Sequence, residues 1–113
     1  ERFSDFAGAF DEIELLGMTL DIGHGALITE KNTAYEFTEC CFERIRHVHI
    51  HDNRGGNSPQ DDLHLPLGAG TIDFAPILNG LKQRGFDRTI TIEVRPEHLA
   101  GSSTVLQQLW ESL

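Results

Sequence analysis

Three histidines alternate with two β-branched apolar residues in the segment HVHIHD. Because the side chains of an extended strand alternate between its faces, His47, His49 and His51 would share one face. Val48 and Ile50 would occupy the opposite, apolar face. Histidine is the commonest metal ligand in proteins, so this pattern predicts either a metal site or a strand with one wet, polar face.

Two other segments, MTLDIGH and TITIEV, have the same organisation. Each has one aliphatic and one polar face, and each carries a carboxylate near its end, Asp21 in the first and Glu93 in the second. The loop segment DDLH adds Asp62 and His64. Aspartate, glutamate and histidine together form the ligand set of a hydrated divalent cation, so we expect a divalent metal cofactor: Mn, Co, Mg or Zn.

Stretches of apolar residues at helical spacing separate these strands. The first, over residues 3–16, is ended by Gly17, and the second runs from Thr33 to Ile45. Asp73 can cap a third helix that reaches Gly85. The last helix uses the apolar residues Val105, Leu106, Leu109, Trp110 and Leu113.

Strands separated by helical crossovers form βαβ units and a parallel sheet, which predicts an α/β fold. Doubly wound sheets are usually apolar on both faces, whereas these strands have one polar face. A (β/α)8 barrel accounts for this, because helices cover its outside and its active site lies at the carboxyl ends of the strands. A barrel takes about 250 residues. Three strands in 113 residues therefore predict a partial barrel, one incomplete domain over residues 1–113.

The open sheet edges of such a partial barrel would expose unpaired backbone groups. We therefore expect the chain to form a homo-oligomer or to associate with a missing N-terminal half. Alone, it is expected to lack a complete active site.

Composition and charge narrow the class of protein. A formal net charge of −9 and the absence of basic runs argue against a nucleic-acid partner. No apolar run approaches the roughly 20 residues that span a bilayer, and no signal-peptide pattern is visible. Adjacent Cys40 and Cys41 give no disulfide framework, which agrees with a reducing compartment. We expect a cytoplasmic protein without a membrane partner.

Four segments resemble the xylose isomerase-like TIM barrels, namely LDIGH at 20–24, HVHIHD at 47–52, HLPLGAGTIDF at 64–74 and TIE at 91–93. This superfamily includes sugar and sugar-phosphate isomerases and epimerases, and also the endonuclease IV group. The segments follow the family's order and spacing over nearly the whole chain. The resemblance implies the last three βα units, about strands 6–8, of a (β/α)8 barrel.

The resemblance also implies a metal site at the strand ends. Asp21 resembles the ligand carboxylate of the sixth strand, and His49 resembles the ligand imidazole of the seventh. Glu93 resembles the glutamate of the eighth strand, which in the epimerases is both a metal ligand and the catalytic acid/base. A cation there would stabilise an enediolate during proton transfer next to a carbonyl. The family's second glutamate, on the fourth or fifth strand, would precede residue 1.

Other residues resemble substrate contacts or further ligands. His24 and Arg54 resemble residues that bind substrate in the epimerases, and His51 is expected either to contact substrate or to brace the mouth of the site. In the endonucleases the equivalent of His24 binds a second metal. Asp62 and His64 resemble additional metal ligands of that group.

These resemblances favour the C-terminal portion of a metal-dependent sugar or sugar-phosphate isomerase or epimerase, with a small carbohydrate as substrate. One alternative is an endonuclease IV-like zinc phosphodiesterase, which Asp62 and His64 support and the acidic charge opposes. The other is a catalytically silent fragment or assembly module.

Several other residues are expected to have structural rather than chemical roles. We expect His47 to pack inside the barrel, Asp52 to be solvated or to brace a loop, and His98 to lie on the surface. Gly68 and Gly70 are expected at backbone turns.

Overall fold

The computed structural model describes residues 3–113, with side chains described from residue 7 onward. Four α-helices and three β-strands alternate along these residues, as the sequence predicts. In chain order they are α1 (Phe3–Glu12), β1 (Met18–Asp21), α2 (Ala34–Cys40), β2 (Ile45–Ile50), α3 (Phe74–Gln83), β3 (Thr89–Ile92) and α4 (Leu99–Ser112). Short 3₁₀ turns lie at His24–Ala26, Phe42–Arg44, Pro59–Asp61 and Pro96–His98. No helix in this part of the chain has both the length and the apolar character that a membrane crossing needs.

The strands β1, β2 and β3 form a parallel sheet in that order, which confirms the predicted α/β class. Asp21 pairs with His49 in the sheet register. Past the strand ends, the Ile22 N–H donates to the His49 carbonyl at 3.0 Å, and the Glu93 N–H donates to the Ile50 carbonyl at 2.9 Å. The residues at the carboxyl ends of the three strands are therefore neighbours.

The apolar face of the sheet packs against the helices to form the hydrophobic core. Leu20, Val48 and Ile50 on that face are at most 2% exposed. They belong to one cluster with buried residues of the helices, among them Phe37, Ile77, Leu78 and Leu81. Burying one such side chain contributes about 1.5–3 kcal/mol, so this face holds the helices on the sheet and leaves the polar face for chemistry.

Helix α1 ends earlier than its apolar spacing predicts. It stops at Glu12 rather than near Leu16, and the carbonyls of a helix end need partners. The Arg44 guanidinium donates at 2.8–3.1 Å to four carbonyls of this region, those of Phe10, Ile13, Glu14 and Leu16. One arginine thus ties the α1–β1 connection to the residue that precedes β2.

The ends of α2 and α3 have different causes, a tertiary contact for α2 and a local turn for α3. α2 stops at Cys40 instead of continuing to Ile45, because Ile45 begins β2 and pairs with Met18. α3 stops just before Gly85, as predicted; Asp73 occupies its N-cap position, but its side chain makes no capping hydrogen bond there. The φ of 79° at Gly85 lies in the region that favours glycine, which explains why the helix ends there.

Candidate metal centre

Three ligand-type side chains converge at the carboxyl ends of the strands. Asp21 closes β1, His49 is the penultimate residue of β2, and Glu93 follows β3. His49 Nδ1 lies 3.1 Å from Glu93 Oε1 and 3.8 Å from Asp21 Oδ2, and the side chains are 18–30% exposed. One ligand atom of each lies within 4.8 Å of the others. We call these residues the strand-end group; their spacing fits one divalent cation with ligand bonds of about 2.0–2.2 Å.

A second set of ligand-type side chains lies on two loops beside the first. His24 belongs to the turn after β1, and Asp62 and His64 belong to the loop that precedes α3. Asp62 bridges the two imidazoles, since its Oδ2 lies 3.1 Å from His24 Nε2 and its Oδ1 lies 3.1 Å from His64 Nε2. We call these three residues the loop group. One ligand atom of each, together with one of His51, lies within 4.8 Å of the others.

His64 has a backbone conformation that is uncommon outside glycine. Its φ is 47°, in the left-handed region, where strained residues often serve a functional site. Its Nδ1 lies 3.0 Å from the Glu93 carbonyl oxygen, so Nδ1–H donates there. In the neutral imidazole, Nε2 then carries the lone pair, which can bind a cation shared with Asp62. This is the usual arrangement of a metal-binding histidine, in which the second nitrogen is anchored to a carbonyl.

Asp21 connects the two groups. Its Oδ1 accepts from the His24 backbone N–H at 2.8 Å and from His51 Nε2 at 3.1 Å, while its Oδ2 lies 2.9 Å from His24 Nδ1. Burial raises the pKa of Asp21, but the hydrogen bonds from His51 and the His24 backbone, with the charges of these histidines, bring the pKa below its ordinary value. The carboxylate is therefore ionised at neutral pH, which is the state that binds a cation.

Asp52 braces the loop that carries Asp62 and His64. It has no exposed surface, and its carboxylate accepts hydrogen bonds of 2.9–3.2 Å from the backbone N–H groups of Asn53, Gly68, Gly70 and Ile72. Its backbone also forms two hydrogen bonds with Leu65, the residue after His64. A solvated Asp52 is thus wrong, and the alternative of loop bracing is confirmed. A buried carboxylate needs such partners to offset the loss of water.

Asn53 is a supporting residue that the sequence motifs do not reveal. It has no exposed surface; its Nδ2 donates to the Gly23 carbonyl and its Oδ1 accepts from the Gly55 N–H, both at 2.9 Å. Its carbonyl accepts from the Thr71 N–H at 2.8 Å. Asn53 therefore joins the loop after β1 to the loop before α3. The Asp-Asn pair directly after a buried strand is the sequence feature that could have indicated this role. Polar side chains at such a position are often buried, and buried polar side chains are hydrogen-bonded.

Three other residues with predicted roles lie outside both groups. Arg54 is exposed, and its Nη2 is 3.4 Å from the Ala69 carbonyl. His47 is half-buried on the polar face of the sheet, with Nε2 2.8 Å from Thr91 Oγ1. His98 is half-buried at the N-cap of α4 rather than on the surface.

His51 has no exposed surface. Its ring stacks on that of His64, with centroids 3.8 Å apart and planes at 11°. Of the two roles expected for His51, substrate contact and bracing of the mouth, this burial favours bracing.

Solved structures that are similar to this chain include an epimerase-like protein and a zinc-bound protein. A D-tagatose 3-epimerase-like protein matches with a TM-score of 0.72 and 40% identity, over 85% of this chain and 35% of that one. The IolI protein, solved with a bound zinc atom, matches with a TM-score of 0.57 and 21% identity, over 95% of this chain and 41% of that one. At the lower identity the likeness shows the fold alone.

Curated relatives occur in Methanocaldococcus jannaschii. The uncharacterized protein MJ1311 is 41% identical over 78 residues, which are 69% of this chain and 25% of that protein. The uncharacterized protein MJ1188 is 34% identical over 86 residues, which are 76% of this chain and 28% of that protein. The chain thus spans about a quarter of the length of these relatives. The sequence model of one family, described as xylose isomerase-like TIM barrel, matches residues 1–109, and the chain therefore belongs to that family, as its motifs predict.

Proposed function

We propose that this chain supplies metal-binding and proton-transfer residues to a metal-dependent sugar or sugar-phosphate isomerase or epimerase. The observation that carries the proposal is the strand-end group, in which Asp21, His49 and Glu93 from three adjacent strands lie within reach of one cation. The solved relative at 40% identity is described as D-tagatose 3-epimerase-like, which supports a carbohydrate substrate.

In this proposal Asp21, His49 and Glu93 hold the cation, and Mn, Co, Mg and Zn are all compatible with their oxygen and nitrogen donors. When bound, the cation supplies Lewis acidity beside the substrate carbonyl. Glu93 is 30% exposed, so its carboxylate can take a proton from the carbon next to that carbonyl and return it. Because the chain spans about a quarter of its relatives, we assign the base on the opposite face of the substrate to another part of the barrel.

His24 and Arg54 are the proposed substrate contacts. Both follow strand ends, and both are exposed, His24 at 47% of its side chain. An imidazole can hydrogen-bond a sugar hydroxyl, and a guanidinium can bind a hydroxyl or phosphate oxygen. The pair therefore fits a sugar or a sugar phosphate.

Deuterium exchange tests this function. The protein at its full natural length, loaded with manganese or cobalt, is incubated in D₂O with a panel of ketoses and ketose phosphates. Mass spectrometry then follows deuterium at the carbon next to the carbonyl. We expect incorporation by the wild type and its loss in Glu93→Gln. A wild type that binds metal but exchanges no proton in any sugar of the panel would contradict the proposal.

The loop group favours a second candidate, a phosphodiesterase that uses several zinc ions. Two adjacent ligand sets can hold two ions, and paired metals stabilise the attacking and leaving oxygens of a phosphodiester. The net charge of −9 opposes this candidate.

Counting the metals bound to purified protein discriminates between the two candidates. One manganese, cobalt or magnesium ion per chain supports the isomerase, whereas two or three zinc ions support the phosphodiesterase. A folded protein that binds no metal would contradict both and would support a catalytically silent module.

A further inference from the structure

His51 contacts members of both the strand-end group and the loop group. It has no exposed surface, and its Nε2 lies 3.1 Å from Asp21 Oδ1. Its ring stacks on that of His64 with centroids 3.8 Å apart and planes at 11°, and the His24 ring meets it edge-on at 4.9 Å. One buried imidazole therefore touches ligand-type residues of both groups.

The stacking geometry argues against His51 as a ligand of the loop group. The lone pair of an imidazole nitrogen lies in the ring plane, so a cation bound by His64 lies in the plane of that ring. The His51 ring is nearly parallel, with its centroid 3.8 Å from that of His64, whereas a metal–nitrogen bond measures about 2.1 Å. The two rings cannot bind one cation without leaving their stack.

Further contacts hold the His51 ring in place. Nε2 lies 3.1 Å from Asp21 Oδ1, and Nδ1 is buried without a hydrogen-bond partner among the described residues. The ring also rests on Gly23, where a Cβ atom would lie 2.1 Å from His51 Cε1. The Gly23 carbonyl in turn accepts from Asn53 Nδ2 at 2.9 Å. These contacts hold the ring between Gly23 and the Asp21 carboxylate, which suits a residue that orients others.

We propose that His51 is a positioning residue that couples the two groups, fixing the Asp21 carboxylate through Nε2 and supporting the His64 ring by stacking. This inference rests on the proposed function for the strand-end group as a cation site, and on the second candidate for the loop group as a further set of ligands. The two contacts are made by different parts of the side chain. Substitutions that remove one contact at a time should therefore weaken different sites.

The first test removes the hydrogen bond and keeps the ring. Cobalt(II) is titrated into the protein at its full natural length, in an Asp62→Asn background that disables the loop group. Visible absorption then reports the strand-end group. We expect His51→Phe to weaken cobalt binding about 10- to 100-fold, the usual cost of losing a residue that orients a ligand. The absorption bands should also shift, because Asp21 is then free to change its coordination.

Two further variants make this test specific. His51→Gln retains an amide that can donate to Asp21 and should restore most of the affinity and the wild-type spectrum. His98→Phe is the matched control, since this half-buried imidazole lies at the N-cap of α4 outside both groups, so its removal should leave both readouts unchanged.

The second test isolates the loop group in a His49→Ala background and measures zinc affinity. Here the two variants are expected to have the opposite effects to those in the first test. His51→Gln removes the ring that stacks on His64 and should weaken zinc binding. His51→Phe keeps the stacked ring and should preserve zinc binding. Equal zinc affinity for the two variants would overturn the stacking half of the proposal.

If the parent protein binds cobalt and His51→Phe leaves the cobalt affinity and the spectrum unchanged, the hydrogen-bond half of the proposal is overturned. A parent chain that binds no cobalt would instead overturn the proposed function. If His51→Phe does not fold, Gly23→Ala replaces it, because its Cβ would displace the His51 ring. A folded Gly23→Ala chain with unchanged cobalt affinity would then overturn the proposal.

Discussion

At the residue scale, the charge of Glu93 can be tested separately from its shape. Glu93→Gln keeps the side-chain volume but removes the charge that lies 3.1 Å from His49 Nδ1. We expect the affinity for manganese to fall about tenfold or more, since a loss of about 1.4 kcal/mol is sufficient for a tenfold change. Calorimetric titration measures the manganese affinity. Glu97→Gln is the matched control, because Glu97 is an exposed glutamate after β3. Equal affinities for both variants would remove Glu93 from the strand-end group.

The adjacent thiols Cys40 and Cys41 also differ in their surroundings. Cys40 ends α2 and is exposed, whereas Cys41 is 4% exposed. Burial, together with the neighbouring Cys40 thiol, raises the pKa of Cys41 to about 12. Because the thiolate is the nucleophile, Cys41 should react with iodoacetamide at pH 8 far more slowly than Cys40. Peptide mass spectrometry after a timed reaction checks this, and similar rates in the folded chain would contradict it; in urea both should react.

At the scale of elements, the loop before α3 depends on the buried carboxylate of Asp52. Asp52→Asn leaves one acceptor oxygen and turns an amide toward backbone N–H groups such as those of Gly68 and Gly70. We expect the free energy of unfolding to fall by about 1.5–3 kcal/mol, the range for hydrogen bonds to charged groups. Urea unfolding measures this loss, and hydrogen exchange at the Gly68 and Gly70 amides should become faster.

Asp87→Asn is the control for that substitution. Asp87 is exposed, and a surface change of this kind is expected to alter stability by less than about 0.5 kcal/mol. Unchanged exchange rates in the Asp52→Asn loop would show that the carboxylate does not hold it.

At the scale of the whole molecule, the sheet has two open edges. Among the described residues, β1 and β3 each pair with β2 alone. Unpaired backbone groups of an edge strand bind another strand when one is available. We expect the isolated chain to self-associate, or to bind the remainder of a barrel when both are present. Sedimentation velocity over a dilution series checks this, and a stable monomer at every concentration would contradict it.

Much of this molecule could be predicted from local patterns. Period-two alternation places His49 on the polar face of β2, since burial of one face specifies which side chains point away from it. The same alternation predicts neighbouring strands that end near Asp21 and Glu93. The ends of α1 and α2 could not be predicted in the same way. They depend on Arg44 and on the pairing of Ile45 with Met18, which join residues far apart in the chain.

The candidate site also has features that local sequence patterns predict and features that only tertiary contacts determine. Residue type and alternation alone were enough to identify the candidate ligands and the strand faces that carry them, because side-chain direction in a strand is a local property. Folding in three dimensions set their partners: Asp62 lies between two imidazoles, Asp52 inside a ring of backbone N–H groups, and His51 beneath His64 against Gly23. These contacts depend on where long loops return to the strand ends. Sequence spacing does not specify that return, since it follows from hydrogen bonds and packing that form only in the folded chain.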